Sequence, residues 1–312
     1  MTIMYESFFG LRAHPFGSSP DPRFLYVMPH IRETLACLQY GIAARKGFIV
    51  MTGEVGTGKT TLLKTALNRF DNDNVLTSFV FNPRLEVLDL LEFVLTDFGI
   101  SPVARTKSTM LIQLNRWLVE RFRNNKVSVI VIDEAQNLSL DLLEEIRLLT
   151  NLETSSEKLV QILLSGQPEL EEKLCHPSVR QLRQRVWMWC KMRPLTHQQT
   201  QEYISQRLQI AGATEPLFTN DALSLVYSYS KGIPRVINLI CEHALITAYV
   251  EQVKPISASI IEAIGLDFAL EQQPLVVSRA GVNEGPPDAP LQTSVFIPSL
   301  SNPTYLSKEV DL

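Results

Sequence analysis

The 312-residue sequence has no apolar run of about 18 residues, the length that a membrane-spanning helix requires. Near the start, Glu6, Arg12 and several prolines interrupt the chain before any apolar run of signal-peptide length. The four cysteines lie far apart and form no C-x-x-C pair, which argues against a disulfide framework and a zinc site. We therefore expect a cytoplasmic protein without a membrane span.

An excess of charge of one sign is also missing. The chain has 29 Lys and Arg residues against 33 Asp and Glu residues, a formal net charge of -4. This balance gives no overall signature of binding to nucleic acid or to an anionic membrane. A partner of either kind would have to be recognised by a local patch.

Five short apolar runs alternate with longer stretches of helical periodicity over residues 47–194. Such runs, without polar alternation, are typical of a parallel sheet that helices cover on both faces. The predicted strands are residues 48–52, 75–81, 127–133, 159–165 and 186–192. We predict an α/β core with a five-stranded parallel sheet, one of whose flanking helices spans residues 168–183.

The rest of the chain divides into three regions. Residues 1–46 comprise an aromatic segment, expected to be irregular rather than helical up to residue 28, and a helix that leads into the first strand. Four helical patterns over residues 195–271 predict a small all-α subdomain. Residues 272–312 hold six of the 18 prolines and predict a flexible tail.

One stretch matches the phosphate-loop pattern G-x-x-x-x-G-K-[ST], directly after the first strand and before a helix, as that motif requires. In such a loop the backbone N–H groups wrap the phosphates and the helix dipole adds to the attraction. Lys59 is expected to reach the β- and γ-phosphates, and Thr60 to bind Mg²⁺. The predicted nucleotide contacts are Gly53, Glu54, Val55, Gly56, Thr57, Gly58, Lys59, Thr60 and Thr61.

An acidic pair, Asp133 and Glu134, ends the buried strand at 127–133, at the edge where ligands of such sheets bind. We expect Asp133 to hold Mg²⁺ through water and Glu134 to act as the general base on the attacking water. One strand separates the phosphate loop from this pair in sequence, which indicates a P-loop ATPase with an additional strand rather than a kinase or small GTPase.

Polar residues follow two other strands. Ser165 and Gln167 end the fourth strand, and we favour Gln167 as the side chain that orients the water or contacts the γ-phosphate. Asn82 ends the second strand and would hydrogen-bond Glu134 until a partner binds. A turn or a helix cap would use the same residues.

Two sets of arginines are candidates for charge stabilisation. Arg180, Arg183 and Arg185 lie between a helix and the fifth strand; of these we favour Arg185, then Arg183, as the arginine offered to a neighbouring subunit. Arg235, beside Pro234 at a helix start, opposes the helix dipole and so predicts a nearby anion, the γ-phosphate.

Together, GEVGTGKT, VIVIDEAQ, GQPEL, LRQRV and GIPRVIN resemble the motifs of AAA+ ATPases. The opening MYESFFGL with PDPRFLY resembles the ExeA/GspA-like branch, associated with bacterial general secretion and exosortase loci, over residues 4–268. The resemblance implies ATP, Mg²⁺, a homo-oligomer (ring or filament), a helical lid, and adenine contacts at Tyr40, Gly41 or Ile42. The cell-wall role of longer secretion members is not carried over.

The favoured function is an ATPase that acts on an unidentified protein partner, in secretion or polysaccharide export. One alternative is an ATP-dependent DNA-binding adaptor of transposition, and another is a switch governed by nucleotide state. Nucleic acid is the less favoured partner, because the candidate contacts fit the solvated face of one helix equally well. These contacts are Arg116, Arg121, Arg123 and Lys126.

Overall fold

A computed structural model describes residues 4–17, 21–70, 74–81 and 83–270. Asn82 and the predicted tail at 272–312 lie outside the described residues. Among those described, none of the helices combines the length and the apolar run that a membrane crossing needs.

The centre of the fold is a five-stranded sheet with the strand order β2-β3-β4-β1-β5, and all of its pairings are parallel. Alternate side chains of each central strand enter two separate apolar clusters, one on each face, as the two-residue period of a strand requires. The predicted α/β fold class is confirmed. The strands are β1 (Phe48–Thr52), β2 (Val75–Val80), β3 (Val127–Ile132), β4 (Gln161–Gly166) and β5 (Val186–Lys191).

Helices cover both faces of the sheet, and four more form a helical region after β5, which we call the lid. The helices before the lid are α1 (Met4–Phe9), α2 (Pro29–Ala43), α3 (Lys59–Leu67), α4 (Val87–Asp97), α5 (Lys107–Arg123), α6 (Leu140–Leu149), α7 (Glu169–Cys175) and α8 (Arg180–Arg183). Those of the lid are α9 (His197–Ala211), α10 (Asn220–Ser230), α11 (Pro234–Glu251) and α12 (Ala258–Asp267).

The prediction of one helix over residues 168–183 was wrong, because the helix is interrupted at Pro177. His176 is extended (φ -60°, ψ 139°), and a 3-10 turn at Pro177–Val179 separates α7 from α8. Proline lacks a backbone N–H and disfavours a helical conformation in the residue before it. The arginines at 180 and 183 therefore lie on a separate short helix.

The amino-terminal segment also differs from the prediction, since it begins with the short helix α1 rather than irregular chain. It packs on the lid: the Tyr5 hydroxyl donates to both carboxylate oxygens of Glu242 on α11, at 2.8 and 2.9 Å. Arg207 of α9, itself buried, donates to the carbonyl oxygens of Pro15 and Phe24. The segment and the lid thus share one core.

Arg207 should be the main link between the segment and the lid. Arg207→Met leaves two buried carbonyl oxygens without a donor, so we expect the free energy of unfolding to fall by about 3 kcal/mol. Urea denaturation measures this change, and limited proteolysis should show faster cleavage before residue 25.

The matched control is Arg23→Met in the same segment, where the arginine pairs with Asp21 at the surface. A surface pair of this kind contributes little. Equal effects of the two substitutions would contradict the assigned role of Arg207.

Candidate nucleotide-binding site

The phosphate-loop residues connect the end of β1 to the start of α3. Gly56 and Gly58 adopt left-handed conformations (φ 83° and 94°), which glycine reaches at little cost. Lys59 is the first residue of α3, and its Nζ donates to the carbonyl oxygens of Gly53 (2.7 Å) and Glu54 (3.0 Å). The loop is therefore folded around its own lysine.

Lys59 lies in a partly desolvated, acidic environment. Burial lowers the pKa of its ammonium group, while the nearby carboxylates, Glu134 and Asp133 foremost, act in the opposite direction. A phosphate at this position would favour the charged form further, since an opposite charge nearby offsets desolvation.

Asp133 joins the phosphate loop to β3 and β4. Its carboxylate accepts hydrogen bonds from Thr60 Oγ1 (2.8 Å), from Ser165 Oγ (2.7 Å) and from the backbone N–H of Glu134 (3.0 Å). The carboxyl ends of adjacent parallel strands bring these groups together. The predicted Mg²⁺ residues, Thr60 and Asp133, are thus in direct contact.

This donor set fits Mg²⁺, which prefers oxygen ligands and is usually held by one or two carboxylates together with substrate phosphates. A threonine hydroxyl and an aspartate carboxylate supply such oxygens here. The described part of the chain contains no group of three or more His, Cys, Asp or Glu side chains able to hold a metal alone. A metal at this site would therefore need the phosphates as further ligands.

Glu134 lies beside this network, with an exposed side chain and a left-handed backbone (φ 52°). Its Oε2 accepts hydrogen bonds from Gln136 Nε2 (2.6 Å) and from Gln167 Nε2 (3.2 Å). Gln167, the predicted sensor, thus contacts the candidate base, while Ser165 contacts Asp133. The predicted contact of Asn82 with Glu134 falls outside the described residues.

The first turn of α11 docks on the phosphate loop. The backbone N–H of Arg235 donates to the carbonyl oxygen of Gly56 (3.2 Å), and a Cβ added to Gly56 would come within 2.7 Å of the Arg235 Cβ. The Arg235 side chain is exposed. The lid thus places this predicted γ-phosphate contact beside the loop.

The three arginines precede β5 and so lie near the amino ends of the strands, whereas the phosphate loop lies at the carboxyl ends. Arg185 Nη1 donates to Thr150 Oγ1 and Asn151 Oδ1, both at 2.6 Å. Arg183 and Arg180 are exposed. At this position none of the three is placed to serve the chain's own phosphate loop.

The structure places Tyr40, Gly41 and Ile42, the residues expected to contact adenine, at the amino end of β1. A Cβ on Gly41 would lie 2.6 Å from the Trp187 ring at the start of β5, so these residues lie roughly 15 Å, the length of β1, from the phosphate loop. The reason is direction: α2 runs antiparallel to β1, and its first turn is the end near the loop. There, burial and then the charge of Arg193, just beyond β5, lower the pKa of His30.

Sequence reasoning missed Gln136 and Lys173. Gln136 follows the acidic pair in a short 3-10 helix (Ala135–Asn137), and Lys173 on α7 donates to the carbonyl oxygens of Gln136 (2.6 Å) and Leu138 (2.7 Å). Lys173 lies 35–37 positions from the two residues it contacts, so no local pattern predicts these contacts. The sequence offered one hint for Gln136, its position two residues after the candidate base Glu134.

The candidate nucleic-acid contacts are not all exposed, since Arg121 and Lys126 are half-buried. Arg121 is half-buried, and its guanidinium lies 5.4 Å from the centre of the Trp117 ring. Burial lowers the pKa of Arg121. Arg116 and Arg123 are exposed.

Comparison with known proteins agrees with the fold. A family model described as "AAA domain" matches residues 42–174. The chain is 43% identical over 247 residues to general secretion pathway protein A of Aeromonas hydrophila, an alignment that covers 79% of this chain and 45% of that protein. The chain thus spans less than half the length of this relative.

Solved structures share the fold at low sequence identity. The Aeropyrum pernix ORC1 protein in complex with DNA superposes with a TM-score of 0.60 at 17% identity, covering 78% of this chain and 67% of that one. Cdc6p from Pyrobaculum aerophilum superposes with a TM-score of 0.58 at 19% identity, covering 76% and 68%. These structures agree with the fold, and the AAA domain match together with the relative above shows that the chain belongs to the AAA+ family, in the ExeA/GspA-like branch.

Proposed function

We propose that this protein hydrolyses ATP. The observation that carries the proposal is the Asp133 carboxylate, which is bonded at once to Thr60 of the phosphate loop and to Ser165 of β4, with Glu134 next to it. Metal-binding oxygens, a phosphate loop and a carboxylate base thus lie at one edge of the sheet, as phosphoryl transfer to water requires.

The chain's own residues have separate tasks in this proposal. The phosphate loop and Lys59 hold the phosphates, and Thr60 and Asp133 would hold Mg²⁺, which would neutralise charge on the phosphate oxygens. Glu134 removes a proton from the attacking water. Arg235 contacts the γ-phosphate from the lid and so relates the position of the lid to the nucleotide.

We propose further that copies of this chain assemble and that Arg183 acts on the nucleotide of a neighbouring subunit. Arg185, the residue favoured from sequence, is committed to Thr150 and Asn151 of its own subunit. Arg183 is exposed, and no hydrogen bond or ion pair holds its side chain among the described residues. We therefore favour Arg183 over Arg185 for this role.

The 43% identity to a protein named for general secretion supports action on a partner in a secretion or export system, and we place this action in the cytoplasm. The alternative of a DNA-binding adaptor gains no support from the site, because Arg121 packs over Trp117. The alternative of a nucleotide-state switch uses the same residues and differs in slow turnover.

Two substitutions should separate binding from hydrolysis. Lys59→Ala removes the phosphate contact and should abolish ATP affinity, whereas Glu134→Gln should keep ATP bound and lower kcat at least about 100-fold, the scale of general base catalysis. Calorimetry measures binding, and phosphate release measures turnover.

Glu144→Gln on α6 is the matched control, since this exposed glutamate pairs with Arg147 away from the site. It should leave both properties unchanged. If Glu134→Gln abolished binding as fully as Lys59→Ala, the proposed roles would be incorrect.

A mixing experiment tests the arginine in trans. Arg183→Ala alone should lower kcat by about 10³-fold or more, as arginine fingers do, and Lys59→Ala alone should be inactive. Mixed subunits should recover activity, because each variant supplies what the other lacks, and the Glu134→Gln protein should form a larger species with ATP and Mg²⁺ in size-exclusion chromatography.

Arg180→Ala is the control for the mixture, because Arg180 is exposed on the same short helix. It should keep the wild-type kcat. Failure of the mixture to recover, or a monomer under all nucleotide conditions, would rule out action in trans by Arg183.

A further inference from the structure

Gln136 uses both ends of its side-chain amide. Its Nε2 donates to Glu134 Oε2 at 2.6 Å, and its Oε1 accepts from the backbone N–H of Gln167 at 3.0 Å. One side chain therefore connects the candidate base to the loop that follows β4.

Neighbouring residues leave space for the Gln136 side chain and hold its backbone. A Cβ on Gly166 would lie within 3.0 Å of Gln136 Oε1 and 2.8 Å of Leu170 Cδ2, so glycine leaves the space that the amide occupies. Behind it, Lys173 Nζ donates to the backbone carbonyl oxygens of Gln136 and Leu138. The half-buried Gln136 is thus held by hydrogen bonds at its side-chain amide and at its backbone carbonyl.

Both amides, from Gln136 and Gln167, bind the same carboxylate oxygen of Glu134. Within the part of the chain that the structure describes, Glu134 Oε1 accepts no hydrogen bond. Glu134 itself is exposed, so without the amides its side chain would sample many rotamers. Holding it in one of them is an entropic cost met before the reaction.

We infer that Gln136 is a positioning residue for hydrolysis: it holds Glu134 by Oε2 and leaves Oε1 free to take the proton from water. This inference rests on the proposed function of Glu134 as the base. In this inference Gln136, which follows Glu134 in the same loop, makes the main contact with Glu134, since its hydrogen bond (2.6 Å) is shorter than that of Gln167 (3.2 Å).

Gln136→Met tests the inference, because methionine keeps the length of the side chain and removes both hydrogen bonds. We expect kcat to fall about ten-fold, the effect of one lost hydrogen bond to a charged group. KM for ATP and the Kd for ATP under non-hydrolysing conditions should stay unchanged, since Gln136 acts on the base and not on the phosphates.

Asn137→Ala is the matched control. Asn137 is exposed in the same 3-10 helix, and its side chain makes no hydrogen bond with the described residues. It should keep the wild-type kcat and thermal melting temperature.

The outcomes separate the two proposals. If the wild-type protein shows no more turnover than Lys59→Ala, ATP hydrolysis itself is refuted. If the wild type is active and Gln136→Met keeps its kcat, the positioning role is overturned. A fall in kcat with an equal loss of ATP affinity would also overturn it, because it would indicate a collapsed site.

Discussion

The candidate site depends on one buried carboxylate, that of Asp133. It receives three hydrogen bonds, from Thr60, Ser165 and the backbone of Glu134. Because a buried charge is costly unless it is bonded, these donors are required where they are. The strand order β3-β4-β1 meets the requirement, since it brings the ends of three strands to one point.

The lid is tied to the rest of the chain at two places. Its helix α11 meets the phosphate loop through the Arg235–Gly56 backbone bond, and the same helix holds the amino-terminal segment through Glu242 and Tyr5. The segment continues into α2, whose first turn lies at the phosphate-loop edge. A shift of the lid would therefore act on both the loop and the amino-terminal segment, which links the position of the lid to the nucleotide.

The sheet was predictable from the sequence because each strand is a short, largely apolar run, which is a local signal, and the three central strands are buried on both faces. The phosphate loop and Asp133 were likewise found from local pattern. The position of the residues expected to contact adenine was not predictable in this way, because a resemblance gave residues without the direction of α2. The hydrogen bonds of Arg185 within its own subunit were not predictable, because their partners, Thr150 and Asn151, lie 34–35 residues away in the sequence.

One segment connects the candidate base to the outer arginine. It begins with Gln167 on Glu134, continues through α7, whose Lys173 holds the loop of Gln136, and turns at Pro177 into the helix that carries Arg183. The interruption of the helix at Pro177 matters here, because α8 is then a separate helix and need not continue along the axis of α7. The same short stretch of chain thus contacts the candidate base at one end and presents the exposed Arg183 at the other. In the proposed assembly, this stretch would be a physical route by which neighbouring sites influence each other.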